Sequence, residues 1–168
     1  MKDFENSEVQ AVTPAEGPID DYKFRSTYIG KNRYGVLLRR DNPLARNGEI
    51  SLKDLSQFPI AVKGKEYNIY DLHINKFIMK NIYPQVELEC SDDSFLFEFV
   101  SRNHGGAVIM DFQVKQKTFI KYMEEYDLVL VRLNDEEFSR DVYFVENRDG
   151  LLTDAECRFK NYVLENIK

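Results

Sequence analysis

The chain has 168 residues, of which 43% are hydrophobic, so it can form one domain or two small lobes around a sizeable core. Its 29 acidic residues outnumber the 23 basic ones, and a formal net charge of −6 argues against a nucleic-acid-binding surface, because such domains are usually basic. No apolar run reaches membrane-spanning length and the first residues are polar, so we expect a soluble cytoplasmic protein that contacts no membrane.

The two cysteines, Cys90 and Cys157, fit a reducing cytosol, in which both stay thiols. A single disulfide between them is the alternative. No pair of cysteines has the spacing of a metal site.

The first third of the chain reads as short strands separated by turns. Residues 8–12 can form a strand, and a turn-rich segment, TPAEGPIDD, follows. Two further strands are predicted at 24–29 and 34–39, joined by Gly-Lys-Asn at 30–32.

The next segment alternates helices and strands. Ser51 and Asp54 have capping-box spacing before a short helix, and residues 59–62 form an apolar strand. A helix is predicted over 68–83, with Pro84 as its stop. Its apolar face consists of Tyr70, Ile74, Phe77 and Ile78.

Residues 86–112 predict a strand, a helix, a glycine turn and a second strand. The first strand alternates apolar and charged residues up to Cys90. Ser91 is the expected N-cap of the helix, with Asp92 and Asp93 in its first turn, where the helix dipole favours negative charge. The predicted buried stripe consists of Phe95, Leu96, Phe99 and Val100.

The end of that unit is marked by residues that suit a tight turn. Asn103 is a plausible left-handed terminator, Gly105 and Gly106 make the turn, and residues 107–110 form a fully buried strand. We therefore expect two side-by-side parallel strands with a right-handed helical crossover.

The last quarter predicts a helix over 118–126 and strands at 128–133 and 140–146. A final helix starts at Thr153, whose hydroxyl forms a capping box with Glu156. Its apolar face consists of Ala155, Phe159, Tyr162 and Val163.

Five segments, in this order, resemble the effector-binding domain of LysR-type transcriptional regulators. The N-terminal EVQAVTPAEGPIDD is similar to the family's D-L-A-I-V strand and G-P loop, and VLLRRDNPLA to L-V-L-V-x-x-x-H-P-L-A, with Asn42 in place of the histidine. The sequence ISLKDL matches I-S-L-x-D-L. VSRNHGGAVI resembles V-A-A-G-x-G-I-A-I-L-P, with Asn103 at the first glycine and Met110 at the proline. RDVYFV and LTDAECRFKNYV resemble the family's C-terminal end.

The resemblance, which covers about residues 8–167, implies an α/β fold of the type II periplasmic-binding-protein-like class. Residues 44–136 would form a complete Rossmann-like distal subdomain, and 1–43 with 137–168 part of the proximal one. The family's winged helix-turn-helix has no counterpart in these residues. The resemblance thus implies a homo-oligomeric sensor that reaches DNA only through a winged helix-turn-helix outside this chain.

Ligands in open α/β sheets bind beyond the carboxyl ends of the strands. The resemblance implies a small-molecule effector near such positions, in the cleft between subdomains, and no cofactor. Lys63 and the free amides at the start of the helix from residue 68 could receive an anionic group, with Tyr67 beside them. In the alternative interpretation neither residue contacts a ligand: Lys63 is a solvated loop lysine, and Ser91 only caps the helix. The candidate ligand-binding residues are Thr13, Lys63, Gly64, Tyr67, Ser91, Asp92, Met110 and Asp111.

Two other functions remain open, and both have less support. An α/β enzyme would need a catalytic constellation, but there is no phosphate-binding glycine loop, and neither His73 nor His104 has a catalytic context. A solute-binding protein of similar fold would need a signal peptide or lipid anchor. We therefore expect no catalytic and no metal-binding residues.

Overall fold

The computed structural model describes residues 11–12, 22–65, 68–150 and 152–166. Contacts between Cα atoms group them into two compact units, which are described separately. One unit is Arg33–Ser139, called the central unit below, and the other, the terminal unit, consists of the described residues on either side of it.

The elements of the described residues, in chain order, are as follows. They are β1 (Ala11–Val12), β2 (Phe24–Arg39), β3 (Glu49–Ile50), α1 (Leu52–Ser56), β4 (Pro59–Lys63), α2 (Asn68–Met79), β5 (Gln85–Cys90), α3 (Asp93–Ser101), β6 (Gly106–Met110), α4 (Lys117–Glu125), β7 (Leu128–Leu133), β8 (Ser139–Asn147) and α5 (Asp154–Asn166), with 3₁₀ turns at Pro43–Ala45 and Gln113–Lys115.

The β2 strand differs from the sequence prediction. Residues 24–39 form one continuous strand of 16 residues, and residues 30–32, which were expected to join two strands, lie within it. These three residues are exposed or half-buried. Because they lack a buried apolar side chain, the alternating pattern breaks there although the backbone stays extended. Of the predicted strand at 8–12, only β1 falls within the described residues.

The sheet of the central unit has the strand order β3-β7-β2-β6-β4-β5. The β4 strand is parallel to both β5 and β6, whereas β2 is antiparallel to β6 and β7. The parallel direction of β5 and β6 around α3 is therefore confirmed. The prediction that β5 and β6 lie side by side is wrong, because β4 lies between them.

The two faces of this sheet are covered by different helices. Along β2, Tyr34, Val36 and Leu38 belong to one buried cluster, which also holds Phe77 of α2 and Phe138. Leu37 belongs to a second cluster, shared with α3 and α4. Successive side chains of β2 thus alternate between the two buried clusters, as expected for a strand that is buried on both faces.

The buried face of α3 is offset from the predicted stripe. Leu96, Phe97 and Val100 are buried, whereas Phe95 is 60% exposed. The ring of Phe97 lies 4.8 Å from that of Phe119 and 4.7 Å from that of Tyr122, both on α4. Packing against α4 therefore selects Phe97, a contact that helical spacing alone does not reveal.

The α2 helix ends four residues earlier than expected. It stops at Met79, and Asn81 adopts the left-handed conformation with φ 55°. The Ile82 amide then donates to the Phe77 carbonyl at 3.0 Å, which closes the last turn. Pro84 follows a helix that has already ended. Of the predicted face, Phe77 is fully buried and Ile78 is 45% exposed, and the Tyr70 side chain lies outside the described part.

The turn before β6 uses asparagine and glycine for different purposes. Asn103 has φ 58°, as predicted for a left-handed terminator. Gly105 and Gly106 are buried, and Gly106 already belongs to β6. A Cβ on Gly105 would lie 2.2 Å from the Pro59 carbonyl oxygen. Gly105 is therefore required because the backbone of β4 approaches it closely, and the left-handed turn residue is Asn103.

In the terminal unit, β8 lies between β1 and β2, and Ala11 is opposite Glu146. Val163 of α5 packs with Ile29 and Phe144. The predicted capping box is confirmed, since the Thr153 amide donates to Glu156 Oε2 at 2.7 Å and the Glu156 amide to Thr153 Oγ1 at 3.3 Å.

The expected apolar face of α5 is wrong in part. Val163 is buried, but Phe159 is 58% and Tyr162 63% exposed, and Ala155 is also exposed. Val163 and the half-buried Leu164 supply the apolar packing of the helix, and the exposed Phe159 keeps one ring contact, 6.3 Å from the ring of Phe144. Among the described helices, none is long and apolar enough to cross a membrane.

Candidate functional site

Three parallel strands bring most of the predicted site residues to one edge of the central sheet. The β4 strand ends at Lys63, β5 at Cys90 and β6 at Met110, and Lys63 lies opposite Cys90 in register. The Gly64 amide donates to the Cys90 carbonyl at 3.0 Å, which joins the two strand ends. Two of the predicted site residues, Lys63 and Met110, are the last residues of their strands, and the next four follow the strand ends: Gly64, Ser91, Asp92 and Asp111. Thr13 and Tyr67 lie outside the described residues.

Lys63 is already engaged by the protein. Its Nζ atom donates to the Ser91 carbonyl at 2.9 Å and lies 2.5 Å from Oδ1 of Asp93, and its side chain is 12% exposed. The alternative interpretation of Lys63 as a solvated loop lysine is therefore wrong. An anionic ligand at this edge would have to share the ammonium with Asp93, a partner that sequence reasoning missed.

The cap of α3 is Asp92 and not Ser91. Asp92 has extended backbone angles, and its Oδ1 accepts a hydrogen bond from the Ser94 amide at 2.8 Å. That hydrogen bond, followed by one from the Ser94 side chain and the charge of Lys63, lowers the pKa of Asp92 below its usual range. Serine and aspartate both suit the N-cap position, so residue type does not show which of the two caps the helix. The cap is Asp92 because α3 begins at Asp93, one residue later than predicted.

Ser91 is consequently an exposed residue between β5 and the cap, with its carbonyl held by Lys63. Asp92 is exposed as well and keeps its negative charge. The edge therefore offers the Ser91 hydroxyl and the Asp92 carboxylate, which also caps α3. These groups suit recognition by hydrogen bonds.

Met110 and Asp111 end β6 in different ways. The Met110 side chain is buried in the cluster with Tyr34, and its amide donates to Oε1 of Gln113 at 2.9 Å. The Asp111 amide donates to the Arg33 carbonyl at 2.9 Å. Because the methionine side chain is turned into the core, only its backbone can contribute to the edge.

The described part of the chain places one histidine side chain and both cysteines. His104 is exposed, 5.9 Å from the Phe99 ring, and the side chain of His73 lies outside the described residues. Among described residues, no group of three or more His, Cys, Asp or Glu could hold a metal ion. Cys90 and Cys157 are not joined in a disulfide.

Comparison with known proteins gives a family match over nearly the whole chain. The model of the LysR substrate binding domain matches residues 12–168. No curated protein matches the sequence.

Solved structures share the fold at low sequence identity. The CcmR regulatory domain of Synechocystis PCC6803, in complex with 2-PG, superimposes with a TM-score of 0.77 at 17% identity, over 99% of this chain and 77% of that one. The QuiR effector-binding domain with shikimate gives 0.71 at 17% identity, over 99% and 75%. The BenM effector-binding domain with its effector benzoate gives 0.75 at 16% identity, over 99% and 75%.

Proposed function

Because the chain belongs to the LysR substrate-binding domain family, we propose that it senses a small-molecule effector for a transcription regulator and is not an enzyme. The observation that carries this proposal is the shared edge at which β4, β5 and β6 end, in a chain that matches the family over residues 12–168. A regulator of transcription acts where the DNA is, so we place the sensor in the cytoplasm, where Cys90 and Cys157 stay reduced.

We propose that the effector binds at the carboxyl edge of a distal subdomain, 44–136, and that 1–43 with 137–168 form part of a proximal subdomain. The rule for open α/β sheets supports this place. We include Thr13 and Tyr67, which lie outside the described residues, among the proposed ligand contacts. Inside it, the proposed contacts are Lys63, Gly64, Ser91, Asp92, Met110 and Asp111.

The charges at the edge favour a ligand that has hydrogen-bonding groups and no more than one negative charge, which the Lys63 ammonium would have to neutralise. The Lys63 ammonium attracts an anion, but Asp92 and Asp93 lie beside it and repel one. The QuiR and BenM structures hold shikimate and benzoate, both carboxylates. A hydroxylated or aromatic acid is therefore the class to test first.

Sensing needs a difference in effector affinity between two states of the regulator. Such a difference typically supplies about 1–3 kcal/mol of coupling. The Lys63–Asp93 pair joins the end of β4 to the first turn of α3, so a ligand that shares the lysine would loosen this link. Transmission to DNA through a homo-oligomer and a winged helix-turn-helix is part of the same proposal.

A titration followed by NMR tests the proposal. A panel of small carboxylates, with shikimate and benzoate included, is added to the ¹⁵N-labelled chain. We expect at least one member to shift the amides of Gly64, Ser91 and Asp92 and to raise the melting temperature. Lys63→Met should abolish the shift, while Lys53→Gln on the exposed surface of α1 should preserve it. A panel without a binder would contradict sensing by this chain.

A further inference from the structure

The segment through which the chain leaves the central unit is tied to the α2 helix. This segment, residues 134–139, is called the exit segment below; it follows β7, and Ser139 is the last residue of the unit. Nζ of Lys76, on α2, donates to the Ser139 carbonyl at 2.6 Å and also to the Glu137 carbonyl. One ammonium group of α2 therefore holds two backbone carbonyls of the exit segment.

Aromatic rings of the central unit surround the same ammonium. Nζ of Lys76 lies 5.8 Å from the centre of the Phe138 ring and 6.0 Å from that of the Tyr34 ring, within the range of cation–π attraction. Phe138 is buried, and its ring packs edge-on against Phe77 at 5.0 Å and Tyr34 at 5.5 Å. The Tyr34 amide donates to the Phe138 carbonyl at 3.3 Å. The exit segment is thus fixed to α2 by charge-assisted hydrogen bonds and by buried rings.

A second lysine at the end of α2 holds the carboxylates of the exit segment. Nζ of Lys80 lies 2.6 Å from Oδ2 of Asp135 and 2.8 Å from Oε2 of Glu137. Asp135 also shapes the segment, since its carbonyl accepts from the Phe138 amide and its Oδ1 from the Glu137 amide, both at 3.0 Å. Because both lysines bind the same turn, a displacement of this end of α2 would strain or break their contacts with it.

The other end of α2 follows the proposed effector site in the chain. The helix begins at Asn68, five residues after Lys63, which ends β4 and is paired with Asp93 at 2.5 Å. A helix of 12 residues extends over about 18 Å and is stiffened by its backbone hydrogen bonds. One rigid element therefore connects the end of β4 with the exit segment.

We propose that α2 carries the state of the effector site to the exit segment, with Lys76 as the positioning residue of this link. The inference rests on the proposed function of the carboxyl edge and adds how that site is read out. An effector that shares the Lys63 ammonium competes with Asp93 and disfavours the arrangement in which Lys63 and Lys76 are both held. Its binding therefore loosens the hold of Lys76 on the exit segment, and loosening Lys76 strengthens its binding by the same factor.

Native-state hydrogen exchange of the ¹⁵N-labelled 168-residue chain tests the link without a ligand. Lys63→Met breaks the ion pair at the edge, and we expect it to speed exchange of the Phe138 amide about fivefold or more. The Arg40 amide, which is hydrogen-bonded within the central unit, serves as the reference for global unfolding and should change less. Lys53→Gln, at an exposed position of α1, should change neither rate.

The reverse direction uses Lys76→Met, which removes the charge and keeps a long unbranched side chain. Exchange of the Gly64 amide, which donates to the Cys90 carbonyl, should accelerate more than that of the Arg40 amide. A carboxylate of the panel that binds the wild type should bind this variant about fivefold more tightly or better. A residue that only stabilised the fold would not raise the affinity.

The outcomes separate this inference from the proposed function. If Lys63→Met speeds exchange at Phe138 no more than at Arg40, the link is wrong, whether or not the panel contains a binder. A carboxylate that binds the wild type and Lys76→Met equally also overturns it. Coupled exchange without any binder supports the link and contradicts the effector site. Because Lys63→Met leaves Lys76 intact, the first measurement remains decisive if Lys76→Met unfolds the chain.

Discussion

Nζ of Lys160 lies 2.7 Å from Oε2 of Glu146, a carboxylate whose side chain is only 1% exposed. The same carboxylate accepts hydrogen bonds from Arg25, at 2.8 Å from Nε, so β2, β8 and α5 meet at one buried charge. The Lys160 side chain is 21% exposed. A buried charge of this kind is tolerated only because both partners are in place.

Glu146→Gln should lower the free energy of unfolding by about 2–3 kcal/mol, because it leaves the charges of Lys160 and Arg25 without their partner. Urea unfolding monitored by circular dichroism measures the change. Asp41→Asn, which breaks the exposed pair with Arg39, serves as the control and should change stability little. Equal effects of the two substitutions would contradict the role given to burial.

Stability should fall in acid, and Glu146 should account for much of the loss. Burial opposes ionisation of this carboxyl, but hydrogen bonds from Lys160 and Arg25 outweigh it and lower its pKa in the folded protein. Its contribution is therefore complete above the unfolded-state pKa of about 4.3 and disappears as the pH drops through the lower folded-state value. Urea midpoints measured from pH 7 downwards should converge for the wild type and Glu146→Gln. Parallel curves would show that another group dominates.

Gly105→Ala should destabilise the central unit by about 3 kcal/mol or more, since the new Cβ would lie 2.2 Å from the Pro59 carbonyl oxygen and 2.6 Å from Phe99 Cε1. Gly48→Ala is the matched comparison. Nothing lies within 4 Å of its added Cβ, but its φ of 70° is left-handed, so it should cost roughly 1–2 kcal/mol. Thermal unfolding ranks the pair, and a milder effect at Gly105 would be inconsistent with the close approach of β4.

Thr153→Ala should cost about 1 kcal/mol, because it removes the hydroxyl that caps α5. Thr118→Ala, at an exposed position inside α4, should be neutral or slightly stabilising, since alanine has the higher helix propensity. Chemical unfolding of both variants provides the measurement. No difference between them would remove the capping box as a source of stability.

The chain should self-associate at high concentration through the apolar residues of α5. Phe159 and Tyr162 expose 58% and 63% of their surface on that helix. Sedimentation velocity should show concentration-dependent dimers or larger species, which Phe159→Ser with Tyr162→Ser weakens. Phe95→Ser on α3, where the side chain is 60% exposed, is the control. A monomer at every concentration would refute this prediction.

Features held by near neighbours in the sequence could be predicted from the sequence. Ser51 caps α1 through the Asp54 amide, Thr153 and Glu156 form their box, and Asn103 ends its turn in the left-handed region. Each involves groups at most three residues apart, so residue type and spacing contain the required information. The order of the family-like segments likewise predicts the fold class.

Features that depend on residues far apart in the chain were decided by the tertiary structure. The insertion of β4 between β5 and β6 comes from backbone pairing, which the apolar patterns of the three strands do not distinguish. Lys63 finds Asp93 thirty residues later, and Phe97 faces α4 in place of Phe95. Local hydrogen bonds are encoded by spacing, whereas these contacts depend on which surfaces the chain brings together.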